Sequence, residues 1–209
     1  FPIAFTTAYY ALYELGKLSK GERVCIHSAT GGVGLAAVQL ARQAGAEIFA
    51  TAGNPEKREF LRSLGIQHVM DSRSLTFADE VMAITEGQGV DVVLNTLAGE
   101  AMAKSLSMLA PFGRFLEISK RDIYQNSQVG LSPFQKNLSY FAIDLARMMR
   151  ERPAFFGSLL REVGQQVDNG VFNPLPWQTF PVSQSVDAFR YMAQAKHMGK
   201  IVLSLLDQA

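Results

Sequence analysis

The run from Arg23 to Gly34, RVCIHSATGGVG, places three glycines within four positions at the end of an apolar stretch, and the helix candidate LAAVQLARQAG follows at once. A glycine-rich turn between a strand and a helix lets backbone N–H groups reach a pyrophosphate, and the helix N-terminus adds partial positive charge at the same spot. Gly31, Gly32, Val33 and Gly34, with Thr30 before them, therefore form a candidate dinucleotide cradle, although the spacing is not the full G-x-G-x-x-G. The competing reading is a tight structural turn that uses glycine for its positive φ and binds nothing.

An NAD-binding fold places a carboxylate about 20 residues past the first glycine, at the end of the second strand, to hold the ribose 2′-OH. Counting from Gly31 reaches Thr51 in ATAGNPEKR, where no acid ends the strand. Lys57 and Arg58 open the next helix and Arg73 follows the third strand. A small hydroxyl residue with nearby cations suits a 2′-phosphate, so NADPH is preferred over NADH. Lys57 and Arg58 could instead solvate a helix face, and Arg73 could pair with Asp71.

In open α/β sheets ligands bind outside the carboxyl ends of the strands, which singles out Asn95, Ser119 and Lys120. A lysine held by a carboxylate beside a reduced nicotinamide can deliver a proton or polarise a carbonyl. Asp144, at the end of a later strand candidate, and Asp122 compete for that partnership. His27 and His68 lie in strand candidates and read as core or edge histidines, whereas His197, in AKHMGK, lies in a loop that could face the cofactor. None of the three shares a metal-ligand spacing with the lone cysteine, Cys25, so no zinc site is expected.

The elements that must carry these residues alternate regularly. RVCI, EIFATA, HVMDS, VDVVLNTL and GRFLEIS read as strands buried on both faces. Between them lie helices LAAVQLARQAG, PEKREFLRSLG capped by Asn54, LTFADEVMAITEG and GEAMAKSLSMLAP. This order over about residues 22 to 118 predicts an α/β fold, a doubly wound parallel sheet of Rossmann type. FPIAFTTAYYALYEL leads with helical periodicity. Beyond Lys120 come a long polar segment, the strand candidate NLSYFAID, a helix from Pro153 to about Asn169, the Pro-rich NPLPWQTFP, a capped helix from Ser183 to Ala195 and a last strand KIVLSLL. Residues 1–170 are read as the nucleotide-binding domain with its leading helix, and 171–209 as a segment belonging partly to a second domain.

Composition narrows the partners. A net charge of +1 with no long run of one sign leaves no electrostatic footprint for nucleic acid or an acidic membrane surface. No apolar stretch approaches the roughly 20 residues of a membrane helix, and a single cysteine suits a reducing cytoplasm.

The blocks TTAYYALYEL, GERVCIHSATGGVGLAAVQLAR, ATAGNPEKREFLRSLG, DSRSLTFADEV, GVDVVLNTLAGE, GRFLEISKRDI and KHMGKIVL carry a narrower signal. In order and spacing the chain resembles the enoyl reductase domain of modular type I polyketide synthases, within the zinc-independent medium-chain dehydrogenase/reductase superfamily. The resemblance implies NADPH-dependent reduction of a trans-2-enoyl thioester, held on an acyl carrier protein, to the saturated acyl chain. It implies Lys120 and Asp144 as the catalytic pair and Gly31 to Gly34 for the pyrophosphate. Thr51, Lys57 and Arg73 then fall in the ribose phosphate region, Thr7, Asn95 and Ser119 around the nicotinamide, and Lys196 as a further cofactor neighbour.

Ser119 stands where the family commonly has glycine. The family's N-terminal substrate-binding subdomain has no counterpart in the sequence, so an excised cofactor-binding part, inactive alone, is expected. Other megasynthase domains are the implied partners, and a homodimer is one admissible assembly. A free-standing quinone or enal reductase and a non-catalytic NADPH-binding module are the rival readings. Ring closure on a halogenated enoyl chain is a variant reaction open to the family.

Overall fold

A computed structural model describes residues 2–205; Phe1 and the end of KIVLSLL lie outside the described residues. Helix α1 (Pro2–Tyr9) continues into a wider π-helical segment, Tyr10–Leu15, closed by the Gly16 N–H donating to Ala11 O at 2.8 Å. The alternation expected from sequence follows: β1 (Arg23–Ile26), α2 (Gly32–Ala44), β2 (Glu47–Ala52), α3 (Pro55–Ser63), β3 (His68–Asp71), α4 (Phe77–Ile84), β4 (Val90–Asn95), α5 (Glu100–Ser107) and β5 (Leu109–Glu117). After a short α6 (Arg121–Tyr124) the chain adds β6 (Ser139–Ala142), α7 (Leu145–Glu151) and α8 (Pro153–Asp168). It ends with β7 (Trp177–Pro181), α9 (Ser185–Ala193) and β8 (Lys200–Ser204).

Six strands pair in parallel in the order β3-β2-β1-β4-β5-β6, with the reversal between β1 and β4. This is a doubly wound, Rossmann-type sheet. Its central strands β1, β2 and β4 read as continuous apolar runs because both faces are covered. Val24, Ile26, Ala50, Ala52, Val92 and Leu94 point into a core with α1, α2 and α3. Cys25, Phe49 and Val93 point the opposite way into a core with Phe77 and Val81 of α4 and Met102 and Leu106 of α5. Each fully buried Val, Leu or Phe contributes roughly 1.5–3 kcal/mol, so the two faces together hold the strand ends in fixed register.

Several boundaries differ from expectation. Leu109 to Pro111 start β5 rather than end the preceding helix, because Val90 pairs with Leu109 ahead of a register shift. The Pro-rich NPLPWQTFP contains β7, which pairs in parallel with β8 in a separate two-stranded sheet. Proline is tolerated there because each strand has a free edge. No side chain caps α9, which is preceded by a 3₁₀ turn, Val182–Gln184. Asn54 does cap α3, its Oδ1 accepting the Lys57 N–H at 2.8 Å. Phe172 and Leu175 belong to the α1–α2 core, Phe172 packing its ring 5.2 Å from that of Phe5.

Candidate functional site

Because all six strands are parallel, their carboxyl ends share one edge of the sheet, with the crevice at the β1/β4 reversal. The glycines there are required by close approach rather than by positive φ. Gly31, at the start of α2, has φ −74°, whereas Ser28 takes the left-handed conformation at φ 50°. A Cβ on Gly34 would stand 2.5 Å from Ser28 O and 2.6 Å from Ala29 Cα, so only glycine lets α2 press against the end of β1. Val33 is half-buried against the core beside it. A Cβ on Gly32 would meet Lys200 Cδ at 2.9 Å.

The C-terminal segment closes over this turn. Gly31 and Gly199 form a parallel bridge, and the Gly199 N–H donates to Thr30 O at 2.8 Å. Gly199 has φ 71° and its missing Cβ would run into Pro176 O, which fixes glycine there.

A cavity of about 290 Å³ opens beside the turn, lined by Ser28, Thr30, Gly31, Ala52, Gly53, Asn54, Lys57, Ser72, Arg73, Ala195 and His197. Its ionisable lining residues are two cations and a histidine, with no carboxylate. Burial, with the neighbouring Arg73 charge, lowers the Lys57 pKa, while Glu56 opposes the shift. Burial and the charges of Lys57 and Lys200 hold the His197 pKa below its ordinary value. Lys57 Nζ donates to Ala195 O at 2.6 Å, and the buried His197 Nδ1 has no hydrogen-bond partner. Crowded cations and an unpartnered ring nitrogen suit an anion.

The competition around Arg73 has a definite outcome. Asp71 pairs with Arg58 at 2.9 Å and accepts only the backbone N–H of Arg73, at 2.8 Å. The Arg73 side chain is left to the cavity, and Arg58 is tied to the sheet edge.

Thr51 differs from its expected position. It is fully buried, and its hydroxyl lies 3.0 Å from His27 Nδ1, so Ala52, Gly53 and Asn54 face the cavity at this strand end instead. Ser105 Oγ donates to Ala101 O at 2.7 Å. His27 Nε2, 2.8 Å from Ser105 Oγ, must then carry the ring proton, leaving Nδ1 to accept from Thr51. Burial pushes the His27 pKa down to about 3, so the ring is a neutral strut. His68 is an edge residue, 3.0 Å from Glu47 and stacked on Phe49.

Lys120 follows β5 and Asp144 follows β6, and their side chains meet at 2.7 Å. The Asp144 hydrogen bond raises the Lys120 pKa, and the same bond lowers that of Asp144. Asp122 is excluded as the partner because it accepts the Gly99 N–H at 2.8 Å and the Ser127 hydroxyl at 2.9 Å.

Asn95 and Ser119 are joined through Glu117, a residue sequence reasoning missed. Glu117 is 2% exposed; its Oε2 accepts from Asn95 Nδ2 at 2.6 Å and its Oε1 from the Ser119 N–H at 2.7 Å. The visible signal was an acid inside the otherwise apolar run FLEI. Thr7 is buried in α1 with its hydroxyl donating to Ile3 O at 2.7 Å. Lys196 is exposed and outside the cavity lining, whereas Lys200 stands against Gly32.

A family model described as zinc-binding dehydrogenase matches residues 64–203. Among the described residues, no three His, Cys, Asp or Glu side chains gather as metal ligands, so the donor set does not fit zinc. The chain is 49% identical over 205 residues to a subunit of the phenolphthiocerol/phthiocerol polyketide synthase of Mycobacterium tuberculosis, covering 98% of itself and 9% of that protein. It thus spans about a tenth of the length of the curated relatives it matches.

Among solved structures, the CurK enoyl reductase superposes with a TM-score of 0.84 at 49% identity, over 97% of this chain and 60% of that one. The nucleotide-binding subdomain of the enoylreductase domain of PpsC from Mycobacterium tuberculosis gives 0.79 at 48% identity, over 82% and 96%. A cation-lined cavity beside a glycine turn and a lysine–aspartate pair on one edge of a parallel sheet accompany these likenesses, and the chain belongs to the zinc-binding dehydrogenase family, among the enoyl reductase domains of polyketide synthases.

Proposed function

We propose that this chain is the NADPH-binding part of an enoyl reductase that converts a trans-2-enoyl thioester, carried by an acyl carrier protein within a cytoplasmic polyketide synthase, to the saturated thioester. The observation that carries the reading is the 2.7 Å Lys120–Asp144 pair on the same sheet edge as the glycine turn. The residues present fit the cofactor: Gly34 lets α2 start hard against the end of β1, which brings the helix N-terminus and the Gly31 turn to the cavity for a pyrophosphate, and the acid-free cavity holds Lys57, Arg73 and His197 for a ribose 2′-phosphate.

When bound, the reduced nicotinamide supplies hydride to the β-carbon of the substrate. Lys120 Nζ holds the proton for the α-carbon, and Asp144 keeps it charged and aimed by accepting one of its three N–H bonds. Asn95 and Ser119 are read as the neighbours of the nicotinamide, Asn95 from its buried place beside Glu117. Residues 1–170 are read as the nucleotide-binding domain with its leading helix, and 171–209, which contains the β7–α9–β8 unit, as a segment belonging partly to a second subdomain.

The test is NADPH oxidation by the full-length domain with a carrier-bound crotonyl thioester, paired with calorimetric titration of NADPH and NADH. Turnover with tighter NADPH binding is expected. Absence of turnover, or equal affinities, overturns the corresponding half of the reading.

A further inference from the structure

Glu117 lies at the carboxyl end of β5, two residues before Ser119 and three before Lys120, and is almost fully buried. Its partners define the protonation state they need. The Asn95 side chain is oriented by Leu97, whose N–H donates to Asn95 Oδ1 at 3.1 Å and whose carbonyl accepts from Nδ2 at 2.7 Å. The remaining Nδ2 hydrogen is directed at Glu117 Oε2, while the Ser119 N–H is directed at Oε1. Both carboxyl oxygens face donors. A proton on either one removes the charge from both bonds and makes the protonated oxygen a weak acceptor for the donor it faces.

We infer that Glu117 is a positioning residue whose ionised carboxylate ties the Ser119–Lys120 turn to Asn95, so that the aim of Lys120 at substrate follows the protonation of Glu117. This rests on the reductase reading above. Asp122 of α6 and Tyr140 of β6 are the ionisable groups coupled to it, and no Lys or Arg among the described residues forms an ion pair with Glu117. Burial is the main cause that pushes its pKa up to about 7, with the Asp122 charge acting the same way, against the bonds from Asn95 and Ser119 that favour the anion. Of the other groups with shifts at the crevice, His197 and Asp144 move downward and Lys120 upward, while Lys57 moves downward from the lysine range. A transition near pH 7 is assigned to Glu117 by its loss in Glu117→Gln, which leaves His197 and Lys57 in place.

The full-length domain tests this with NADPH and a crotonyl thioester from pH 5.5 to 8.5. In the wild type kcat falls as pH drops through about 7, to a plateau set by the protonated form. Glu117→Gln, which presents one acceptor and one donor to the same two N–H groups, should sit about tenfold or more below wild type at pH 8 and be flat across the range. Asn95→Ala removes a bond that favours the anion and should move the wild-type limb to higher pH, a readout that survives if Glu117→Gln does not fold. Selective ¹⁵N-serine labelling should show the Ser119 amide shifting with the same midpoint, and that shift should vanish in Glu117→Gln. An unchanged acid limb in Glu117→Gln, an unmoved limb in Asn95→Ala, or a Ser119 amide that does not titrate overturns the inference. A titrating Ser119 amide without turnover at any pH instead overturns the reductase reading and leaves the coupling within the turn standing.

Discussion

Asp144 serves two structures at once: its Oδ1 accepts from Lys120 Nζ at 2.7 Å, and the same atom caps α7 by accepting the Arg147 N–H at 3.0 Å. One carboxylate therefore starts a helix and holds the candidate proton donor. The two duties separate by mutation. Asp144→Asn keeps a good N-cap and removes the charge, so thermal stability should stay near wild type while the alkaline limb of kcat, set by Lys120, moves to lower pH. Asp144→Ala should also lose about 1 kcal/mol of stability. Thermal unfolding and a pH–rate profile on the full-length domain check both; an unmoved limb in Asp144→Asn removes the pair from the mechanism.

Arg73 has its side chain free for the cavity because Asp71 is occupied by Arg58. Charge-assisted hydrogen bonds are worth roughly 1.5–3 kcal/mol, so Arg73→Ala should weaken NADPH binding about tenfold to a hundredfold. NADH binding should hardly change. Calorimetry with both nucleotides measures the difference, and equal losses for the two would show that Arg73 contacts something other than the 2′-phosphate.

Gly34→Ala places a methyl against backbone atoms of Ser28 and Ala29, neither of which can rotate away. The helix must move off β1, which should destabilise the chain by roughly 1–3 kcal/mol and abolish tight nucleotide binding. Denaturant titration and calorimetry read the two effects, and a stable variant with wild-type affinity would contradict the close-approach role.

His27 predicts an acid weakness. Its folded pKa of about 3 lies below the ordinary 6.5, so the folded chain binds fewer protons than the unfolded one between those values. Its contribution is complete above pH 6.5 and is lost as pH falls toward 3, on the order of 5 kcal/mol in all. Glu117 has the opposite sign: with its pKa raised from 4.5 to about 7, it favours folding below 4.5 and loses that contribution as pH rises through 7. Urea titrations of wild type and His27→Gln from pH 7 to 4 isolate the histidine, because Glu117 is common to both. The wild type should lose stability faster on acidification, and parallel curves would refute the assignment.

The order of the first five strands and their helices was legible because each strand is apolar on both faces and each helix on one. Those patterns are local, as are the Asn54 cap and the glycine turn. β7 was hidden by prolines, which propensity counts against a strand and which an edge accepts. The start of β5 was hidden because its pairing to Val90, across a register shift, makes Leu109 to Pro111 a strand in a stretch with helical composition.

The sequence by itself determined the chemistry available: a glycine cradle, cations near the ends of β2 and β3, and a lysine after β5. Only the tertiary structure decided which groups meet. Asp144 rather than Asp122 reaches Lys120, Arg58 rather than Arg73 takes Asp71, Thr51 turns inward to His27, and Glu117 joins Asn95 to Ser119. The physical reason is that residue type and spacing fix what a side chain can donate or accept. Which partner it finds depends on strand order and on the side of the sheet it faces, and both are set by packing between residues far apart in the chain.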